Sequence, residues 1–218
     1  MFFMKNITIY DQTLTLLPEK AVWIDSGRIL VVSDIHLGKI THFRKAGIPL
    51  PQNARMKSLE KLDELVLRHQ PEVLLLLGDF FHSDYNHDWP VISEVLHSWN
   101  LPEIILAGGN HDVLSGVHYS DAGIRVRAEF HLGRLIFTHE PLEQVEAGYC
   151  NIAGHIHPAV NLLGRAKQRL RLPCFHLSEN RMILPAFGAF TGNSVVQIRK
   201  GDKIYVIAED KVIEYPAE

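Results

Sequence analysis

Runs of consecutive apolar residues alternate along the chain with segments whose apolar positions recur every third or fourth residue. Ile29 to Ser33, Val73 to Leu77 and Glu103 to Ala107 are short, rich in Ile, Leu and Val, and closed by Asp34, Gly78 and Gly108. Such runs predict strands, the first two buried. Between them Met56, Leu59, Leu62, Leu65 and Val66 fall at helical spacing. That spacing predicts a helix from Ala54 to His69 with one core face, stopped at Gln70-Pro71. Pro49 and Pro51 break the segment before it, and a second helix is expected from about Pro90 to Trp99.

Strand, helix, strand, helix, strand predicts parallel neighbours joined by crossover helices packed on the sheet. Ligands of such sheets lie beyond the carboxyl ends of the strands. After Asp112 the pattern changes to short strand-like runs at Arg125–Phe130, Arg134–Thr138, Ile152–Ala153, Val160–Leu162, Gln168–Leu177 and Met182–Leu184. Val195–Arg199 and Ile204–Ala208 flank Lys200-Gly201-Asp202 and predict a hairpin. The expectation is mixed α/β with two packed sheets. No internal repeat or low-complexity linker interrupts the 218 residues, so a single domain over 1–218 is expected.

Composition narrows the partners. The 46% hydrophobic and 22% charged content fits a globular domain with a substantial core, and a net charge of -3 gives no global basic signature. Thirteen histidines are many for this length, and imidazole is the commonest metal ligand. Cys150 and Cys174 form no close-spaced thiolate motif, which favours a reduced compartment. The start of the chain has too short an apolar stretch for a signal peptide, and no run approaches the roughly 18 apolar residues of a membrane span. A cytoplasmic protein that avoids membranes is expected.

The chemistry sits at the ends of the apolar runs. Asp34-Ile35-His36, Gly78-Asp79, Gly109-Asn110-His111-Asp112, His139 and Gly154-His155-Ile156-His157 each follow a predicted strand. Asp34 and His36, at i and i+2, would project to one side of an extended backbone. Asp79 can bridge two cations, Asn110 offers a neutral carbonyl, and the histidines offer ring nitrogens. Mixed N/O ligation without thiolate suits Mn²⁺, Fe, Zn²⁺ or Co²⁺ better than an all-oxygen calcium site. Two such ions can hold a bridging hydroxide that attacks phosphorus while they bind the phosphoryl oxygens. His111 is placed to protonate the leaving oxygen, and Asp112 is expected to orient its imidazole.

These residues resemble the calcineurin-like metallophosphoesterases, whose ordered signature is D-x-H, G-D, G-N-H-[DE], H and G-H-x-H. The resemblance implies a four-layer α/β sandwich, two packed mixed sheets flanked by helices. It implies one metal on Asp34, His36, Asp79 and His157, a second on Asp79, Asn110, His139 and His155, and His111 as catalytic histidine. A narrower resemblance, carried by Asp34 to Lys39, Phe43 to Pro49, Gly154 to Val160, Arg169 to Phe175 and Leu184 to Gly192, is to the bacterial ligase-associated DNA damage response endonucleases. It implies a Mn²⁺-dependent phosphodiesterase or nuclease, acting on DNA or RNA, that works in DNA repair beside a DNA ligase and a helicase.

Other residues are expected nearer the substrate. Lys39, Arg44 and Lys45 follow the first motif and could reach a phosphate; the competing reading is a solvated basic loop. His82, just after Asp79, is expected to approach the cleft. Arg165, Lys167, Arg169 and Arg171 alternate, as a phosphate-binding stripe or an edge strand charged against pairing would. Within the same chemistry a phosphomonoesterase, or a nucleotide or lipid pyrophosphate hydrolase, competes with a diesterase. A catalytically inactive scaffold would show eroded ligands, and this chain has the full set.

Overall fold

The computed structural model describes residues 3–38, 56–82, 84–163, 169–189 and 191–216. Lys39, Arg44, Lys45, Arg165 and Lys167 lie outside them, as does the expected start of the first helix at Ala54. The first sheet runs in chain order: β1 (Lys5–Ile9), β2 (Gln12–Leu17), β3 (Ala21–Ile24), β4 (Ile29–Ser33), β5 (Val73–Leu77), β6 (Glu103–Ala107) and β7 (Ile124–Arg127). β1 to β4 are antiparallel, and β4 to β7 are parallel. The parallel strands are joined through α1 (Lys57–His69), α2 (Trp89–Ser98) and α3 (Gly116–Asp121).

Register makes this sheet a platform. Ser33 pairs with Leu77, and Leu77 with Ala107, so the three motif-bearing strands end level with one another. The apolar runs are continuous because both faces are covered. Leu30, Val32, Leu74, Leu76, Ile104 and Leu106 belong to the core shared with the helices. Their neighbours Val31, Leu75, Leu77, Ile105 and Ala107 belong to the core shared with the second sheet. Burying one such side chain stabilises the fold by about 1.5–3 kcal/mol.

The second sheet contains β8 (Phe130–Leu132), β9 (Leu135–Thr138), β10 (Cys150–Ala153), β11 (Pro158–Leu163), β12 (Arg169–Leu177), β13 (Arg181–Ile183), β14 (Ser194–Val195), β15 (Lys203–Ala208) and β16 (Lys211–Tyr215). Its order is β14-β11-β12-β13-β10-β9-β8, with β15 between β12 and β16. β9, β10 and β13 are parallel, and Thr138 pairs with Ala153, so His139 and Gly154 also emerge side by side. A third cluster, Val160, Cys174, Ile204 and Val206, lies in this sheet with Val196 and Ile198 against it. Among the described residues no helix is long and apolar enough to cross a membrane.

Three expectations change. The hairpin at Lys200-Gly201-Asp202 is not formed: β14 is only Ser194–Val195 and pairs parallel to β11, while β15 turns at Glu209-Asp210 into β16. The single strand expected over Arg125–Phe130 is two, because β7 completes the first sheet and β8 opens the second. β1 to β3 are additional strands, in which Ile7, Ile9 and Leu14 alternate with exposed or half-buried neighbours and the buried pair Leu16-Leu17 ends the pattern.

Candidate metal centre

Two sets of parallel strand ends face one another across the inter-sheet core, and the signature residues lie on the turns that leave them. Those turns are not extended. Asp34, His36, Asp79, His155 and His157 all have φ between 48° and 66°, the left-handed region that side chains other than glycine rarely adopt. Asp34 and His36 therefore converge through two left-handed residues, not through the alternation of a strand. Each such residue costs about 1–3 kcal/mol and persists only where its surroundings fix it. Backbone bonds do so here: Asp34 N donates to Gly78 O at 3.2 Å, and His36 N to Asp79 O at 2.8 Å.

Glycine makes the close approach possible. A Cβ on Gly78 would stand 2.2 Å from His139 Nδ1, and one on Gly154 would stand 2.4 Å from Asp34 Oδ2. The two sheets meet through these gaps, with His155 N donating to Asp34 Oδ2 at 2.9 Å.

The ligand atoms form overlapping groups: Asp34, His36 and His157; Asp34, Asp79 and His139; and His139, Glu140 and His155. Asp79 Oδ2 lies 3.6 Å from His36 Nε2, and its Oδ1 lies 3.6 Å from His139 Nε2. One carboxylate thus faces both halves of the site. His139 Nε2 is also 3.1 Å from Asn110 Oδ1 and 3.1 Å from His155 Nδ1. Glu140, not among the expected ligands, directs a carboxylate at this second half.

Backbone carbonyls fix the ring orientation. Leu77 O lies 3.1 Å from His139 Nδ1, and Gly192 O lies 3.0 Å from His157 Nδ1. A carbonyl only accepts, so Nδ1 carries the hydrogen in both rings and Nε2 presents its lone pair to the site. Asp34 Oδ1 is fully buried and receives no hydrogen bond among the described residues, with His157 Nε2 at 3.3 Å. A buried carboxylate oxygen without a donor is costly, and so is a crowd of facing lone pairs. Divalent cations remove both costs, so the residues present fit a metal pair.

Asp34, His36, Asp79 and His139 are buried, His155 and His157 half-buried, and Asn110 and His111 exposed. The site therefore opens at the Asn110-His111 rim. His111 N donates to Asp79 Oδ1 at 3.0 Å. Its ring centroid lies 4.2 Å from that of His82, and His82 Nδ1 in turn lies 3.1 Å from His36 Nδ1. His82 is thus in the cleft, between the buried His36 and the exposed His111.

Asp112 requires a correction. It does not orient the His111 ring: its Oδ1 accepts from Phe80 N at 2.9 Å, Phe81 N at 3.2 Å and the Tyr119 hydroxyl at 3.2 Å, while Oδ2 accepts from Gly109 N at 2.8 Å. Burial raises its pKa, with the charge of Asp79 acting the same way and the backbone donors opposing. Asp112 therefore ties the chain after Asp79 to the chain before Asn110. Lys39, Arg44 and Lys45, expected to contact substrate, lie outside the described residues.

The family model described as calcineurin-like phosphoesterase matches residues 27–181. Among solved structures, the nuclease MPE of Pseudomonas putida is 32% identical with a TM-score of 0.78, covering 97% of this chain and 100% of its own. The phosphoesterase Yfce of E. coli is 16% identical with a TM-score of 0.45, covering 86% of this chain and 97% of its own. No curated protein matches the sequence.

Proposed function

The chain belongs to the calcineurin-like phosphoesterase family, and from that premise we propose that this metal-dependent phosphoesterase hydrolyses phosphodiester bonds of nucleic acid. The carrying observation is the nuclease MPE, alike over 97% of the chain, combined with a ligand set that is buried at its base and exposed at the Asn110-His111 rim. In this reading Asp34, His36, Asp79 and His157 hold one ion, and Asp79, Asn110, His139 and His155 the other. Mn²⁺ is the favoured metal. When bound, the pair supplies Lewis acidity for the phosphoryl group and acidifies a water.

The chain's own side chains do the rest. In this reading a polymer approaches over the exposed Asn110 and His111, with Lys39, Arg44 and Lys45 as candidate phosphate contacts. His111 holds a proton for the leaving oxygen, and the neighbouring His82 ring limits its rotation. Asp112 keeps the rim in register through Gly109, Phe80 and Phe81. Work in DNA repair beside a ligase and a helicase, by a single cytoplasmic domain, extends the reading on the strength of the sequence resemblance.

The test compares bis-(p-nitrophenyl) phosphate, p-nitrophenyl phosphate, DNA and RNA with and without Mn²⁺. Diester and polymer cleavage that requires Mn²⁺ and is lost in Asp79→Asn is expected. Turnover of the monoester alone would replace the diesterase by a phosphomonoesterase.

A further inference from the structure

The segment from Leu184 to Ala189 lies directly under the first ligand turn. Phe187 N donates to Ser33 O at 2.8 Å and Gly188 N to Asp34 O at 3.1 Å, while Ser33 Oγ donates to Pro185 O at 3.4 Å. A Cβ on Gly188 would stand 2.5 Å from Ile35 O, so backbone rests on backbone with no room for a side chain. This turn needs support, because Asp34 and His36 both sit at left-handed φ.

Helix α1 holds the segment in turn. Lys61 Nζ donates to Phe187 O at 2.8 Å and to Glu19 O at 3.1 Å, and stands 3.6 Å from the centroid of the Phe187 ring. One turn earlier the buried Ser58 accepts from Ala189 N at 3.1 Å. Leu65, one turn further along the same helix, is buried, and the Phe187 ring beside Lys61 is buried too. Burial lowers its pKa to about 7, the charge of Lys20 acts in the same sense, and Glu19 opposes them. An apolar residue would pack here at less cost. It could not fasten carbonyls from two distant segments.

We propose that Lys61 is a positioning residue of the metal centre, its amino group pinning Phe187 to Glu19 and so holding the Asp34–His36 turn in ligand-binding shape. This rests on the metal-centre reading above. Nothing in the signature motifs contains Lys61; it acts through two layers of backbone contact.

The test is Mn²⁺ titration calorimetry and amide hydrogen exchange on the full chain, for wild type, Lys61→Met, Gly188→Ala and Leu96→Ala. Lys61→Met should bind Mn²⁺ at least about tenfold more weakly. Its Phe187 and Gly188 amides should exchange at least about tenfold faster, while Leu75 and Leu76 stay protected. Gly188→Ala should weaken Mn²⁺ binding with Lys61 intact. Leu96→Ala, a core truncation on α2, should lose stability and keep wild-type Mn²⁺ affinity. Unchanged Mn²⁺ binding or unchanged exchange in Lys61→Met overturns the proposal, and so does an equal Mn²⁺ loss in Leu96→Ala. If Lys61→Met does not fold, unaltered Mn²⁺ affinity in Gly188→Ala overturns it. A wild type that takes up no Mn²⁺ overturns the metal centre itself, a result distinct from failure of Lys61 alone.

Discussion

Gly78→Ala isolates the closest contact in the centre. The new Cβ would lie 2.2, 2.4 and 2.7 Å from His139 Nδ1, Cγ and Cβ, so His139 must retreat by roughly 1–2 Å, its Cβ included, to reach ordinary contact. The φ of Gly78 is 67°, where an alanine costs about 1–2 kcal/mol. Retreat of the ring also breaks the His139 Nδ1 bond to Leu77 O, worth about 1 kcal/mol. Together these give about 2–3 kcal/mol, or a fall in Tm of about 4–12 °C for a chain of this size. A displacement of about 1 Å in a residue that positions the centre lowers turnover by roughly a hundredfold. Gly123→Ala is the control, since Gly123 has φ 77° and nothing within 4 Å of a Cβ. It should carry the conformational cost alone and leave Mn²⁺ binding and turnover untouched. Scanning calorimetry with and without Mn²⁺, beside diester turnover, reads both variants. A Gly78→Ala protein that matched Gly123→Ala in metal affinity and rate would refute the steric argument.

His111→Ala should keep its metal and lose about 10²–10⁴-fold in kcat on a diester with a poor leaving group, with much less loss on p-nitrophenolate esters. Asp112→Ala frees three backbone amides and the Tyr119 hydroxyl, so a stability loss of about 2–4 kcal/mol by denaturant titration is expected, with Mn²⁺ affinity falling as the rim loosens. Lys61 gives a pH signature. Its folded pKa is lowered from 10.5 to about 7, so between those values the unfolded chain holds a proton the folded chain has lost. The resulting penalty is full below pH 7 and gone by pH 10.5, an upper bound on the order of 5 kcal/mol. The stability of wild type relative to Lys61→Met should therefore rise with pH across that window, and a flat difference would show that Lys61 keeps its ordinary pKa.

Much of this was legible in the sequence, for identifiable reasons. β4, β5 and β6 are covered on both faces, so their apolar runs are unbroken and end where the ligands begin. α1 carries its core face at regular spacing and stops at Gln70, left-handed before Pro71. The candidate metal ligands declare themselves as an ordered set at successive strand ends, whereas any one of them alone would read as a turn or capping residue. Less was visible where tertiary contact decides. Asp112 neighbours His111 in sequence, yet its carboxylate is drawn to amides on the Asp79 turn, a pairing that only the level strand ends create. β15 pairs with β12 and β16 and β14 with β11, a choice of partners that the residues around Gly201 do not specify. Lys61 reads as one more surface lysine on an amphipathic helix until Phe187 and Glu19 are brought to it.

The most direct measurement is anomalous diffraction at the manganese edge from crystals grown with Mn²⁺. Two peaks flanking Asp79 are expected, one beside Asp34, His36 and His157 and the other beside Asn110, His139 and His155. A single peak, or imidazoles turned away from a site without manganese density, would contradict the shared-carboxylate centre.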